Sequence, residues 1–159
     1  MKYFTIDEFT YSTTAKKYKI NNTPNATQID NITEFIETLL DPLREAWATY
    51  CQEHGLGNPA LKVSSGFRCN ALNRLVGGSN TSSHTTGLAV DLVPYNGKLK
   101  HFKIFCMSYL QNKDFDQFIS EDEVSGVPEW IHIGFKNLYG NQRHQLLYKP
   151  KNVNKYYRL

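Results

Sequence analysis

The sequence predicts an α+β fold in which N-terminal helices pack on a small, mostly antiparallel sheet. Two observations carry that prediction. In the first third of the chain Ile29, Ile32, Phe35, Ile36, Leu39, Leu40, Leu43 and Trp47 recur at three- and four-residue intervals, the period of a helix buried along one stripe. After residue 60 come short apolar or alternating runs bounded by Gly, Pro and Asn, with helices grouped early and strands late rather than alternating as βαβ units.

Thr5-Ile6-Asp7-Glu8 has capping-box spacing, which predicts a short helix from Ile6 to about Thr14. A polar loop ends at Asn22-Thr23-Pro24-Asn25, and the long amphipathic helix starts near Thr27. Pro42 lies inside that helix and lacks a backbone donor, so a kink or a restart capped by Asp41 is expected there. Gly55, Gly57, Asn58 and Pro59 end the helical region, and Leu61 to Ser65 forms a first strand. Asn70 to Val76 suits a short helix, Gly77 to Thr81 a flexible loop, Leu88 to Val93 a strand and Leu99 to Leu110 a helix. Phe115 to Ile119 and Trp130 to Phe135 complete the strands. The 159 residues are expected to form one domain: a helical N-terminal region (residues 1–58), a core (61–135) holding the motifs, and a C-terminal extension (136–159).

Apolar residues make up 40% of the chain and aromatics 13%, enough for a packed core and unlike a disordered chain. A net charge of +3 without a dense Lys/Arg run argues against a nucleic-acid partner. No segment approaches the roughly 18 apolar residues of a membrane span, so no membrane insertion is expected. The first residues lack the apolar core of a signal peptide, so synthesis in a cytoplasm is expected. Cys51, Cys69 and Cys106 are odd in number and lack CxxC spacing, which favours reduced, packed thiols.

The chemistry concentrates in Ser82-Ser83-His84-Thr85-Thr86-Gly87-Leu88-Ala89-Val90-Asp91 and in Glu129-Trp130-Ile131-His132. His84, Asp91 and His132 are a two-imidazole, one-carboxylate set that leaves a fourth tetrahedral position open, the arrangement of catalytic rather than structural zinc. Strand alternation sets Ala89 and Asp91 on one face and turns Leu88, Val90 and Leu92 to the other, and it groups Trp130, His132 and Gly134 in the same way. An Asp among Leu88, Ala89, Val90, Leu92 and Val93 is buried, and a buried carboxylate needs a cation; the bland partner is Arg or Lys, the sharper one a metal. Glu129 is the expected general base, although its parity requires it to precede the strand or sit at a bulge. Arg68 is the expected partner of a developing oxyanion. His54, His101 and His144 have no such context and are assigned to the surface or to hydrogen bonds.

Ser64-Ser65-Gly66-Phe67-Arg68, Asn70-Ala71-Leu72-Asn73, Gly77-Gly78, the run from Ser82 to Asp91, Phe115-Asp116-Gln117-Phe118-Ile119 and Glu129-Trp130-Ile131-His132-Ile133 occur in the order seen in the M15 zinc peptidases. The chain resembles most the M15A-type members of phages and bacteria. The resemblance implies a fold shared in outline with D-alanyl-D-alanine peptidases and the hedgehog signalling domain. It implies one zinc ion on His84, Asp91 and His132, Glu129 as base, and substrate or transition-state contacts from Arg68 and Ser82. Gln117 matches a recurring residue near the pocket. Cys69 stands where many members have Ser or Thr, which raises the idea of an accessory thiolate. The implied activity is cleavage of peptidoglycan stem peptides, as an L-alanyl-D-glutamate endopeptidase or a D,D-carboxypeptidase. A monomeric enzyme acting on the wall after lysis or from a phage particle is expected; the alternative is a catalytically silent, zinc-bearing virion or wall-binding module of the same fold.

Overall fold

The computed structural model describes all 159 residues. Its elements are α1 (Ile6–Thr10), α2 (Thr13–Lys17), α3 (Ala26–Phe35), α4 (Asp41–Glu53), β1 (Leu61–Ser65), α5 (Asn70–Leu75), β2 (Ala89–Pro94), α6 (Leu99–Tyr109), β3 (Gln117–Glu123), β4 (Trp130–Gly134), β5 (Gln145–Pro150) and β6 (Tyr157–Arg158). The strands form one six-stranded sheet in the order β1-β2-β4-β3-β5-β6. All pairings are antiparallel except β3 with β5, which is parallel. The α+β architecture is the expected one.

Three local features differ from expectation. The helix drawn from Ile6 to Thr14 is two short helices, because Ser12 is extended and its hydroxyl accepts the Ala15 N–H, starting α2 afresh. The Thr5–Glu8 capping box is present as predicted. The long helix neither stops nor restarts with an Asp41 cap at Pro42. A π-helical turn spans Ile36–Leu40, in which the Asp41 N–H reaches back five residues to the Ile36 carbonyl. Pro42 has no donor and its ring crowds the carbonyl four residues back, so the wider turn lets the helix run through it. The Asp41 carboxylate instead accepts the Tyr3 N–H at 2.9 Å, together with that of Lys2, which ties down the N-terminal segment.

The third difference is at the C-terminal side. β3 starts two residues later than drawn and runs on through Ser120, Glu121, Asp122 and Glu123. β5 and β6 then extend the sheet from residues read only as an extension.

A cluster of 24 buried apolar residues joins helices to sheet. α3, α4 and α6 contribute Ile32, Phe35, Trp47 and Phe102, and the strands contribute Val90, Leu92, Phe118, Ile131 and Ile133. These strand residues alternate with the polar ones, so the helices cover one face and leave the other to the site.

Candidate metal centre and its cleft

The antiparallel register of β2 and β4 sets Asp91 directly opposite His132 and Ala89 opposite Gly134. Asp91 and His132 therefore share the uncovered face, with a methyl group and a glycine as neighbours that leave room beside them. His84 arrives from a 3-10 turn, Ser83–Thr86, capped by the Ser82 hydroxyl, which accepts the His84 N–H at 3.3 Å. Gly87 ends that turn with φ +79°, a left-handed conformation that favours glycine; a Cβ there would stand 2.7 Å from Ile32.

The donor atoms converge. His84 Nε2 is 3.3 Å from His132 Nδ1, His132 Nδ1 is 2.9 Å from Asp91 Oδ1, and His84 Nε2 is 3.4 Å from Asp91 Oδ1. Ligand bonds of about 2.0–2.1 Å at tetrahedral angles require donor atoms about 3.3–3.4 Å apart. The group thus fits a small tetrahedral cation with little adjustment. The other nitrogen of His84 is 2.7 Å from the Gly66 carbonyl, which orients the ring and leaves Nε2 free to ligate.

Burial pushes His84 below its ordinary pKa, favouring the neutral imidazole a ligand must be. Burial alone would raise Asp91, but the adjacent His84 and His132 outweigh it and hold the carboxyl well below the usual carboxylate range.

A cleft with a cavity volume of about 1040 Å³ runs over this face. Arg68, Ser82 and Gln117 all line it. Arg68 is largely buried, its Nε has no hydrogen-bond partner, and burial lowers its pKa against the opposing charge of Asp91. A guanidinium remains charged even so, and one that lines the cleft without a carboxylate partner suits an anionic group of a ligand. Gly78 belongs to this corner: a Cβ there would fall 2.1 Å from Asn73 Oδ1 and 3.1 Å from Arg68 Nη1, so the Gly77-Gly78 pair is more than a flexible link. Ser82 is engaged in capping the His84 turn. Gln117 donates to Gln145 Oε1 at 2.8 Å, an amide pair linking β3 to β5.

Glu129 is not brought to the metal group. It precedes β4, its N–H pairs with the Glu121 carbonyl, and its carboxylate turns outward to Lys151 with the side chain 47% exposed. Glu129 thus precedes β4, one of the two placements the sequence reading allowed, but its carboxylate is paired at the surface and does not line the cleft. The carboxylate on the site face is Glu121. It lies opposite Trp130 and diagonal to His132, at a spacing of about 7–8 Å for such neighbours. Glu121 is 8% exposed and lines the cleft. Burial raises its pKa, with the charges of His132 and Asp91 acting in opposite senses. The signal for it was present in the sequence: continuing the alternation of Gln117 and Ile119 by two residues reaches Glu121.

Cys69 is not a fourth ligand. Its sulfur caps α5, accepting the Leu72 N–H at 3.5 Å, the task Ser or Thr would perform there. His54 bonds the Tyr50 carbonyl, His144 lies near Asp114, and His101 is exposed.

Two imidazoles and one carboxylate that could hold a metal ion, beside a buried carboxylate and an arginine with an unpaired Nε, are a donor set suited to metal-assisted hydrolysis. Within that class the chain belongs to a specific family: the model of the Peptidase M15 family matches residues 2–134. No individual curated protein is similar enough to the chain to match it.

Proposed function

We propose that this protein is a zinc-dependent peptidase that hydrolyses an amide of peptidoglycan stem peptides, in the manner of a phage cell-wall-degrading enzyme. The observation that carries the reading is the near-tetrahedral spacing of His84 Nε2, Asp91 Oδ1 and His132 Nδ1 within a cleft that also holds Glu121 and Arg68. The family membership supports the reaction class.

When bound to His84, Asp91 and His132, zinc would supply Lewis acidity and bring the pKa of a water to about 7. Glu121 serves as general base, taking a proton from the attacking water and returning it to the leaving amine. Its burial supports that role, because a desolvated carboxylate binds a proton more readily than an exposed one. Arg68 pairs with the oxygen on which negative charge develops. Gly66 holds the His84 ring in the ligating orientation throughout. One copy of the chain carries every group this scheme uses.

The cleft supports a peptide running across the strands, since its walls extend from Ser65 on β1 past the ligands to Leu147 on β5. Two bonds are consistent with it, L-alanyl-D-glutamate within the stem and D-alanyl-D-alanine at its end. Mass spectrometry of purified peptidoglycan incubated with zinc-loaded protein identifies which is cut, with Glu121→Gln as control. Release at one of these bonds by the wild type alone is expected. Unchanged fragments from several wall chemistries would remove the peptidase reading and leave a binding module.

A further inference from the structure

The family match ends at residue 134, yet the cleft does not. Beyond it, β5 pairs in parallel with β3, setting Leu147 beside Ile119 on the site face. β6 returns antiparallel, with Arg158 opposite Leu147 and Tyr157 opposite Tyr148. The rings of Tyr157 and Tyr148 stack on the opposite face, with centroids 5.4 Å apart. Alternation then turns the preceding residue, Tyr156, to the site face, where it lines the cleft and stays 49% exposed.

Tyr156 and Arg68 flank the metal group from opposite sides of the sheet, one carried by the last strand pair and the other by the turn after β1. The charge environment on the two sides differs. Arg143 is held by Asp116 at 2.6 and 2.7 Å, and Lys149 by Asp122, so the two cations that line the cleft on the Tyr156 side both have carboxylate partners, and Arg158, opposite Leu147, lies outside the cleft lining. Arg68 has no such carboxylate partner. An anionic group of a ligand is therefore drawn to the Arg68 side, and an uncharged stretch of peptide backbone suits the Tyr156 side. A phenol is well matched to that task, with a rigid ring that packs and a hydroxyl that donates. Burial raises its pKa, helped by the charges of Glu121 and Asp91, so the hydroxyl keeps its proton at neutral pH.

We propose that Tyr156 is a substrate-contacting residue, its hydroxyl donating a hydrogen bond to a backbone carbonyl of the peptide bound on the Glu121 side of the metal ligands. This rests on the peptidase reading. It makes the C-terminal strand pair a substrate subsite outside the family-matched segment.

The test uses full-length zinc-loaded protein and an N-acetylated synthetic stem pentapeptide containing both the L-alanyl-D-glutamate and the D-alanyl-D-alanine bonds. Binding is measured calorimetrically in the Glu121→Gln background, with and without Tyr156→Phe, and kcat and KM in the wild-type background. Loss of one neutral hydrogen bond predicts about three- to tenfold weaker binding and a matching rise in KM, with the melting temperature unchanged. Binding and KM equal to those of the parent proteins would overturn the Tyr156 role while leaving the peptidase intact, as would a KM change accompanied by a fall in melting temperature. A wild type that neither binds nor cleaves the pentapeptide would overturn both.

Discussion

The two faces of the central sheet are built from alternate residues of the same strands, and they do opposite things. On β2, Leu92 points into the apolar cluster and is fully buried, while its neighbour Asp91 points into the cleft between two imidazoles. On β4, Ile131 and Ile133 face the helices, and His132 between them faces Asp91. One face lowers its free energy by removing carbon from water; the other holds a buried carboxylate, buried histidine and arginine whose desolvation opposes folding. A shift of one residue in register would exchange the two sets, so the apolar face also fixes the geometry of the polar one.

Substitution of adjacent residues separates the two faces. Asp91→Asn removes a ligand charge and should weaken zinc binding on the order of a hundredfold or more, abolishing turnover, while circular dichroism of the zinc-free protein stays native. Leu92→Ala should instead cost about 2–5 kcal/mol in denaturant unfolding and leave zinc stoichiometry of the folded fraction at one. If both variants lose stability equally, the division of labour between faces is wrong. Arg68→Ala should lower kcat by about a hundredfold with zinc content retained, measured by steady-state kinetics and metal analysis.

The smallest expected effect concerns the stability that Glu121 opposes. Its carboxyl has a raised pKa in the folded protein, so it binds a proton more tightly there than in the unfolded chain. At neutral pH its ionisation therefore costs stability, and that cost disappears as pH falls below the ordinary glutamate value of 4.5. Glu121→Gln should raise the melting temperature of zinc-free protein at pH 7, by about 2–4 °C for each kcal/mol recovered. The gain should vanish in scans below pH 4.5. A variant less stable than wild type at pH 7 would contradict the desolvation argument.

The convergence of His84, Asp91 and His132 was legible because each sits in a short apolar strand or a Gly-bounded turn, where a polar residue stands out and parity assigns its face. Glu121 was not, because Ser120, Glu121, Asp122 and Glu123 together resemble a solvated loop. Ser120 pairs with both β4 and β5, Glu121 with β4 and Glu123 with β5 across a register shift, and the Lys103 ammonium is 2.7 Å from Glu123. Such partners lie far along the chain, so the alternation that runs from Gln117 and Ile119 to Glu121 is masked by the acidic run around it. The π-helical turn before Pro42 was hidden for a related reason: a proline predicts disruption, whereas the register adjustment that accommodates it depends on the core stripe from Phe35 to Trp47 remaining buried. The strand pair after residue 144 carries mixed polar and aromatic residues with no clean alternation, and only its docking on β3 orders it.

In the proposed mechanism the carboxylate working beside His84, Asp91 and His132 is Glu121 and not Glu129. The most direct measurement compares Glu121→Gln with Glu129→Gln for zinc content by elemental analysis and for hydrolysis of peptidoglycan by mass spectrometry. Both variants should hold one zinc; Glu121→Gln should lose about 10²–10⁴-fold in rate, the usual scale of a general base, while Glu129→Gln stays near wild type. An active Glu121→Gln beside a silent, zinc-loaded Glu129→Gln would contradict the account.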